Sequence, residues 1–270
     1  MNRWHRVMLT LAALSVLPWS ASAEQKLIPA GPTPESTDTF YTFPGTPILA
    51  ISRNGNVVRY EGPTGYEHLG IGSFSEGYVL CYGAKIAYDT GALQTGFGAS
   101  TATCSGSRCT ITRNTTDGIL QLQQVITKNA SSDRSFGVAM TVRNLTGGSV
   151  TGIILRRQAD LDVDTGGALG TAGFVNWFGS TERDSVTVWN PPNQSAREEH
   201  GVVLSRRAVN PASILATAKV TANILDSSCS PANIAASGPV QGDFGASIQF
   251  NIGTLQGARS ASAGVQYQRN

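Results

Sequence analysis

Asp160, Asp162 and Asp164 recur at every second position, and Arg156 and Gln158 continue the same series toward the N-terminus. In an extended strand such residues share one face. They would form a row of charged and amide groups about 7 Å apart, twice the rise per residue. Carboxylates so close repel unless Arg156, an arginine of a neighbouring strand or a bound cation neutralises them. Three chemistries follow: a solvated Asp–Arg network on a sheet face, a groove that binds or cleaves carbohydrate, or a Ca²⁺ site. Oxygen-rich segments suit Ca²⁺. However, Asp160-x-Asp162-x-Asp164-Thr165-Gly166 places its glycine one position later than the EF-hand loop requires.

Other reactive residues are few. Beyond residue 23 the histidines are His68 and His200. A Ser-His-Asp hydrolase would need one of them beside a nucleophile, and no Gly-x-Ser-x-Gly elbow is present. A zinc centre would need both with a carboxylate, and their spacing does not suggest one. A two-carboxylate glycosidase could draw on Glu198 or Glu199 with Asp160 or Asp162, if the fold joins them. Trp177 and Trp189 would then serve as platforms for a sugar ring. The catalytic candidates are therefore His68, His200, Asp160 and Asp162; the binding candidates are Arg156, Asp160, Asp162, Trp177 and Trp189.

The elements that would position these residues read as strands. Phe136, Val138, Met140 and Val142 alternate with Ala139, Thr141 and Arg143, the period of a half-buried strand. Residues 144–149 are rich in turn formers, and residues 150–164 resume as a strand with an apolar centre at Ile153, Ile154 and Leu155. This pattern predicts a long β-hairpin, with Arg157, Ala159, Leu161 and Val163 opposite the acidic row. Asn54-Gly55 between two alternating runs predicts another hairpin. Strands are also expected at 77–82, 85–88, 109–112, 119–127, 174–178, 185–189, 202–204, 246–251 and 261–267. Residues 212–225 fit two descriptions: Ile214, Ala216, Ala218, Val220, Ala222 and Ile224 alternate as in a strand, whereas Pro211 and the alanines suit a helix. The fold class expected is all-β, an antiparallel sandwich with at most one short helix at 212–225.

Residues 1–23 have the form of a secretory signal: Arg3 and Arg6, an apolar run over 7–17, then Ala21-Ser22-Ala23. The apolar run is short for a bilayer span. Residues 24–45 form a Pro-, Thr- and Ser-rich arm, and 46–270 a single sandwich domain. Removing 1–23 takes two arginines and no acid, leaving 18 basic against 18 acidic residues. That balance argues against nucleic acid or an anionic membrane as partner. The four cysteines imply disulfides in an exported chain. Cys104 and Cys109 would close a hairpin tip, which leaves Cys81 for Cys229.

Thr141-Val142-Arg143-Asn144-Leu145-Thr146, Arg156-Arg157, Asp160-x-Asp162 and Phe250-Asn251-Ile252-Gly253-Thr254-Leu255 resemble exported bacterial β-sandwich proteins of unassigned function. Over residues 46–267 the strand-turn pattern is also similar to galactose-mutarotase-like supersandwich domains. That family uses histidines with a late glutamate as base. Here the last glutamate is Glu199, and only Asp226 and Asp243 follow it as acids. The reading favoured by the sequence is a non-catalytic exported protein, binding or structural, at the envelope or outside the cell. Its partner would be a glycan or an envelope protein, with no cofactor unless Ca²⁺ binds Asp160, Asp162 and Asp164. The competing reading is a carbohydrate-active enzyme or sugar-binding module that uses the polar face.

Overall fold

The computed structural model describes residues 38–62, 65–69, 75–129, 134–163, 176–181, 184–189 and 201–269. Among these residues there are eighteen strands and no helix. In chain order they are β1 (Tyr41–Phe43), β2 (Ile48–Ile51), β3 (Val57–Glu61), β4 (Ser75–Tyr82), β5 (Lys85–Gly91) and β6 (Gln94–Thr95). Then come β7 (Thr101–Ser105), β8 (Arg108–Asn114), β9 (Leu120–Lys128), β10 (Ser135–Asn144), β11 (Val150–Asp160) and β12 (Asn176–Thr181). The last six are β13 (Ser185–Trp189), β14 (Gly201–Arg206), β15 (Leu215–Thr221), β16 (Val240–Gly242), β17 (Gly245–Leu255) and β18 (Ser260–Arg269).

They form three antiparallel sheets. A nine-stranded sheet runs β16-β12-β13-β14-β18-β10-β9-β8-β7, a six-stranded sheet β15-β17-β11-β4-β5-β6, and a small one β1-β2-β3. The Asn54-Gly55 turn joins β2 to β3, with Gly55 at φ 86°, where a side chain would be strained. Alternation fills the interior. Phe136, Val138, Met140 and Val142 of β10 share one buried core with Leu155 and Ala159 of β11 and with Ile248 and Phe250 of β17. Within residues 212–225 the segment Leu215–Thr221 is strand and none of it is helix: β15 lies in register along β17, and Ala218 and Val220 enter the core. The hydrogen-bonded register along β17 decides this against the helical reading.

The predicted hairpin at 136–164 is not one. β10 pairs with β9 and β18, whereas β11 pairs with β17 and β4 in the other large sheet. The chain at 145–149 therefore crosses from sheet to sheet, and the apolar faces of β10 and β11 lie on opposite sides of one core. The link between β17 and β18 makes the same crossing beside it. The Asn144 amide donates to the carbonyls of Gly148, Leu255 and Gln256, so one side chain joins the two crossings. Gly257 packs so closely on Gly147 that a Cβ there would meet its carbonyl oxygen at 2.3 Å.

Two disulfides are present. Cys104–Cys109 closes the β7–β8 hairpin, and Cys81–Cys229 links β4 to the segment after β15. That segment, residues 222–239, lies across the six-stranded sheet as a strap. It is tied down by the disulfide, by Ser75 Oγ donating to Ile224 O at 2.8 Å, and by Lys219 Nζ donating to Pro231 O at 2.8 Å.

Candidate functional site

Buried charged residues between the sheets include two linked clusters. In the first, Arg157 meets Glu76 through Nε–Oε1 at 2.6 Å and Nη2–Oε2 at 2.7 Å. Arg157 also donates to Gln124 Oε1 at 2.5 Å and Gly55 O at 3.0 Å. Glu76 accepts from Tyr267 Oη and from Val57 N, both at 2.6 Å. β4 and β11 supply the ion pair, β9 and β18 the second sheet, and the β2–β3 turn the third. One salt bridge thus ties all three sheets. Burial opposes the guanidinium charge, but Glu76 beside it raises the Arg157 pKa overall.

The second cluster is built on Asp89. It accepts from Arg113 Nη1 at 2.7 Å, Asn54 Nδ2 at 3.0 Å and Asn56 Nδ2 at 3.0 Å. Arg113 also reaches Tyr78 Oη at 3.0 Å, and Tyr78 Oη donates to Asn54 O at 2.9 Å. Burial pushes the Tyr78 hydroxyl pKa well up. Both clusters are buried. They hold the sheets together. In the sequence Arg157 shares its strand face with Ala159, Leu161 and Val163. A charge at an apolar register position, as at Arg157, Glu76 and Arg113, is the signal that marks such a network.

The outward residues of β11 form a different environment. Arg156, Gln158 and Asp160 are buried rather than solvated, and Arg156 donates to the carbonyl of Asp226 in the strap. Asp160 and Asp162 come together with Asp243, from the turn between β16 and β17, and one carboxylate oxygen of each lies within 4.8 Å of the others. Asp160 and Asp162 are buried and Asp243 is partly so. Asp243 was missed as a partner because it is 81 residues further along than Asp162, and only the return of β17 beside β11 brings it close. Asp164 lies outside the described residues, as do His200, Glu198 and Glu199.

His68 reaches this neighbourhood through its backbone: its carbonyl accepts from Asp162 N at 3.1 Å. Its ring turns elsewhere, with Nε2 at 3.0 Å from Gly62 O and the centroid 5.5 Å from that of Tyr60. Burial pulls its pKa down to about 4. The ring is thus neutral near pH 7. Trp177 and Trp189 oppose one another on β12 and β13 and stack, with centroids 6.3 Å apart and planes 10° off parallel. Trp189 is buried, and Trp177 is half-buried.

The outer face of the nine-stranded sheet is polar but nearly uncharged. Thr101, Thr112, Gln123, Thr141 and Ser262 stand opposite one another across five strands. Thr141 Oγ1 and Ser262 Oγ are 2.9 Å apart.

No family model matches the sequence, and no curated protein matches it. Among solved structures, a bacterial glucoamylase complexed with acarbose is similar in fold, with a TM-score of 0.52 at 9% identity. The likeness is one of fold. It covers 90% of this chain but 35% of the glucoamylase, so the chain spans about a third of that enzyme's length. A shared fold at such identity does not carry an activity with it.

Proposed function

We propose that this chain is an exported, non-catalytic β-sandwich that binds neutral glycans at the cell envelope or outside the cell. One observation carries the reading. Among the described residues, the ionisable side chains Glu76, Asp89, Arg113, Arg157 and His68 are buried and held by hydrogen bonds within the sandwich. What the surface offers instead is rows of hydroxyl and amide groups and a half-buried tryptophan, groups that hydrogen-bond to and stack on sugars. Two disulfides are compatible with export. No helix among the described residues is long and apolar enough to cross a membrane. The likeness to a glucoamylase supports a carbohydrate setting for the fold.

A panel of soluble and insoluble polysaccharides, assayed for binding and for hydrolysis or epimerisation, tests this. Retention on at least one glycan without turnover is expected, with Trp177→Ala weakening it. Turnover that disappears in Asp162→Asn or His200→Ala would overturn the non-catalytic reading.

A second reading places carbohydrate chemistry at Asp160, Asp162 and Asp243, because three carboxylates converge there. Their spacing is tighter than the roughly 5–9.5 Å between the carboxylates of glycosidases. The same trio could contribute three of the roughly six to eight oxygens that Ca²⁺ takes. A melting temperature raised by Ca²⁺ and lowered by EDTA would support that role, and equal values in both would remove it.

A further inference from the structure

At the β7 edge of the nine-stranded sheet the pairing loses register. Phe97 bridges Thr115, and Thr101 pairs with Thr112. Four steps along one chain, 97 to 101, therefore face three along the other, 112 to 115. The chain at 98–100 carries one residue too many for the ladder, a bulge that bends it and interrupts pairing. Both sides of the bulge are fixed. Gly98 N donates to Asn114 O and Thr116 N to Gly96 O, both at 2.9 Å. Arg113 Nε donates to Gly98 O at 2.9 Å, which ties the bulge to the buried Asp89 cluster.

A cleft of about 510 Å³ opens at this bulge, within the roughly 300–1,000 Å³ of small-molecule sites. The bulged chain contributes Gly98, Ala99 and Thr101; β8 and β9 contribute Thr112, Asn114 and Gln121. Thr115 and Thr116 complete the lining. Among the described residues none that lines it is ionisable or aromatic. The charged neighbours in sequence are engaged elsewhere, Arg113 with Asp89 at 2.7 Å and Asp117 with Lys85 at 2.8 Å. Asn114 Oδ1 accepts from Gln121 Nε2 at 3.0 Å. Among the described residues no side-chain hydrogen bond engages Asn114 Nδ2 or the hydroxyls of Thr101 and Thr112.

Thr101 and Thr112 belong both to this lining and to the row that continues through Gln123, Thr141 and Ser262. Directly paired residues share a face. Cleft and row therefore form one polar strip about 19 Å long, four strand spacings of ~4.8 Å. Hydroxyls and carboxamides both donate and accept, as sugar hydroxyls do. A lining without charge gives no advantage to an anion or a cation. It also lacks the alternating side-chain pockets that an added peptide strand would fill, and the bulge breaks the edge such a strand would extend.

We propose that this cleft holds one unit of an uncharged sugar chain, and that the row beyond Thr112 receives the units that follow. The hydroxyls of Thr101 and Thr112 and the Nδ2 of Asn114 are its contacts in the cleft. Hydrogen bonds carry the recognition there, so the cleft selects by the arrangement of sugar hydroxyls rather than by stacking. The inference rests on the reading of this chain as a binder of neutral glycans and gives that binding a place. Trp177, on β12 near the opposite end of the sheet, is a separate contact.

The test is titration calorimetry with amide chemical-shift mapping on the mature, disulfide-bonded chain. Glucose, maltohexaose, cellohexaose, an oligogalacturonate and a threonine–valine hexapeptide are the probes. At least one neutral hexamer should shift residues 98–101 and 112–116, and should bind more tightly than glucose because the row adds contacts. Its affinity should hold within about twofold from about 0.05 to 0.5 M sodium chloride, since no charge takes part. Thr112→Val and Asn114→Ala should each weaken it about two- to tenfold, the range for one lost hydrogen bond. Ala99→Trp, at an exposed position, fills the cleft and should abolish these shifts, whereas Trp177→Ala should leave them in place. If Ala99→Trp does not fold, the double variant Thr112→Val/Asn114→Ala replaces it and should combine the two losses. Hexamer binding that maps elsewhere or survives these variants would overturn this inference and leave the neutral-glycan reading intact. Tighter binding of the oligogalacturonate, or shifts caused by the peptide and by no hexamer, would overturn it as well. No neutral glycan bound by the wild type, here or on the polysaccharide panel, would remove both.

Discussion

Arg156 and Arg157 are adjacent in the chain, equally buried and on the same strand, but they point to opposite faces. Arg157 enters the space between the sheets, where Glu76, Gln124 and Gly55 meet its donors. Arg156 lies under the strap, where one carbonyl and a carboxylate 3.7 Å away are its partners. Burial opposes both charges. The Arg157 pKa nevertheless rises, because Glu76 is in contact, and that of Arg156 falls. Equal burial thus produces a structural strut on one side and an unsatisfied group on the other.

The largest effect is expected from the latch on the Arg156 side. Cys81–Cys229 closes a loop of 148 residues, against 5 for Cys104–Cys109. Chain-entropy reasoning assigns about 5 kcal/mol to the first and about 2 kcal/mol to the second. Urea unfolding of Cys81→Ser/Cys229→Ser and Cys104→Ser/Cys109→Ser should show that order.

Next, Arg157→Met should cost about 3–5 kcal/mol, because it strands a buried carboxylate. Adding Glu76→Leu should restore much of the loss, and a double-mutant cycle measures the coupling. Should Arg157→Met prove harmless, the strut side of the comparison fails.

His68 offers a third buried basic group, kept neutral rather than paired. Its folded pKa of about 4 lies below the ordinary 6.5. The unfolded chain binds the proton first as pH falls, so its contribution is complete above about pH 6.5 and lost progressively down to about 4. The shift corresponds to about 3 kcal/mol. Denaturation at pH 7 and pH 4.5 should show a fall that is smaller in His68→Gln.

The smallest effect is expected at Arg156→Met in chloride buffer, within about 1 kcal/mol of wild type, because the lost contacts are few and a desolvated charge is removed. A loss equal to that at Arg157 would erase the contrast between the two faces.

Much of the fold was legible in the residues. Alternation located the strands at β4, β8, β9, β10, β13, β17 and β18, and Asn54-Gly55 marked its turn. These signals are local: period two reports which side chains share a face, and turn residues report where the backbone reverses. The same signals misread 136–164 as a hairpin. A strand with one apolar face looks identical whether its successor pairs beside it or crosses the core to face it. Residues 212–225 needed the neighbouring strand β17 to become strand rather than helix.

The candidate site was less legible, for the same reason at longer range. Asp160 and Asp162 could be marked as a pair on their own strand, but Asp243 joins them only through the β11–β17 register. Cysteine count and position pointed to Cys81 with Cys229, yet nothing local showed that the bridged segment meets Arg156 or that Arg156, Gln158 and Asp160 are buried. The sequence by itself determined which residues alternate, where the chain turns, and that Arg156 and Arg157 face opposite ways. Only the tertiary structure decided what each arginine meets. Facing is a property of consecutive backbone dihedrals, whereas partners such as Glu76, Gln249 and Asp226 arrive from strands and loops 70 or more residues away.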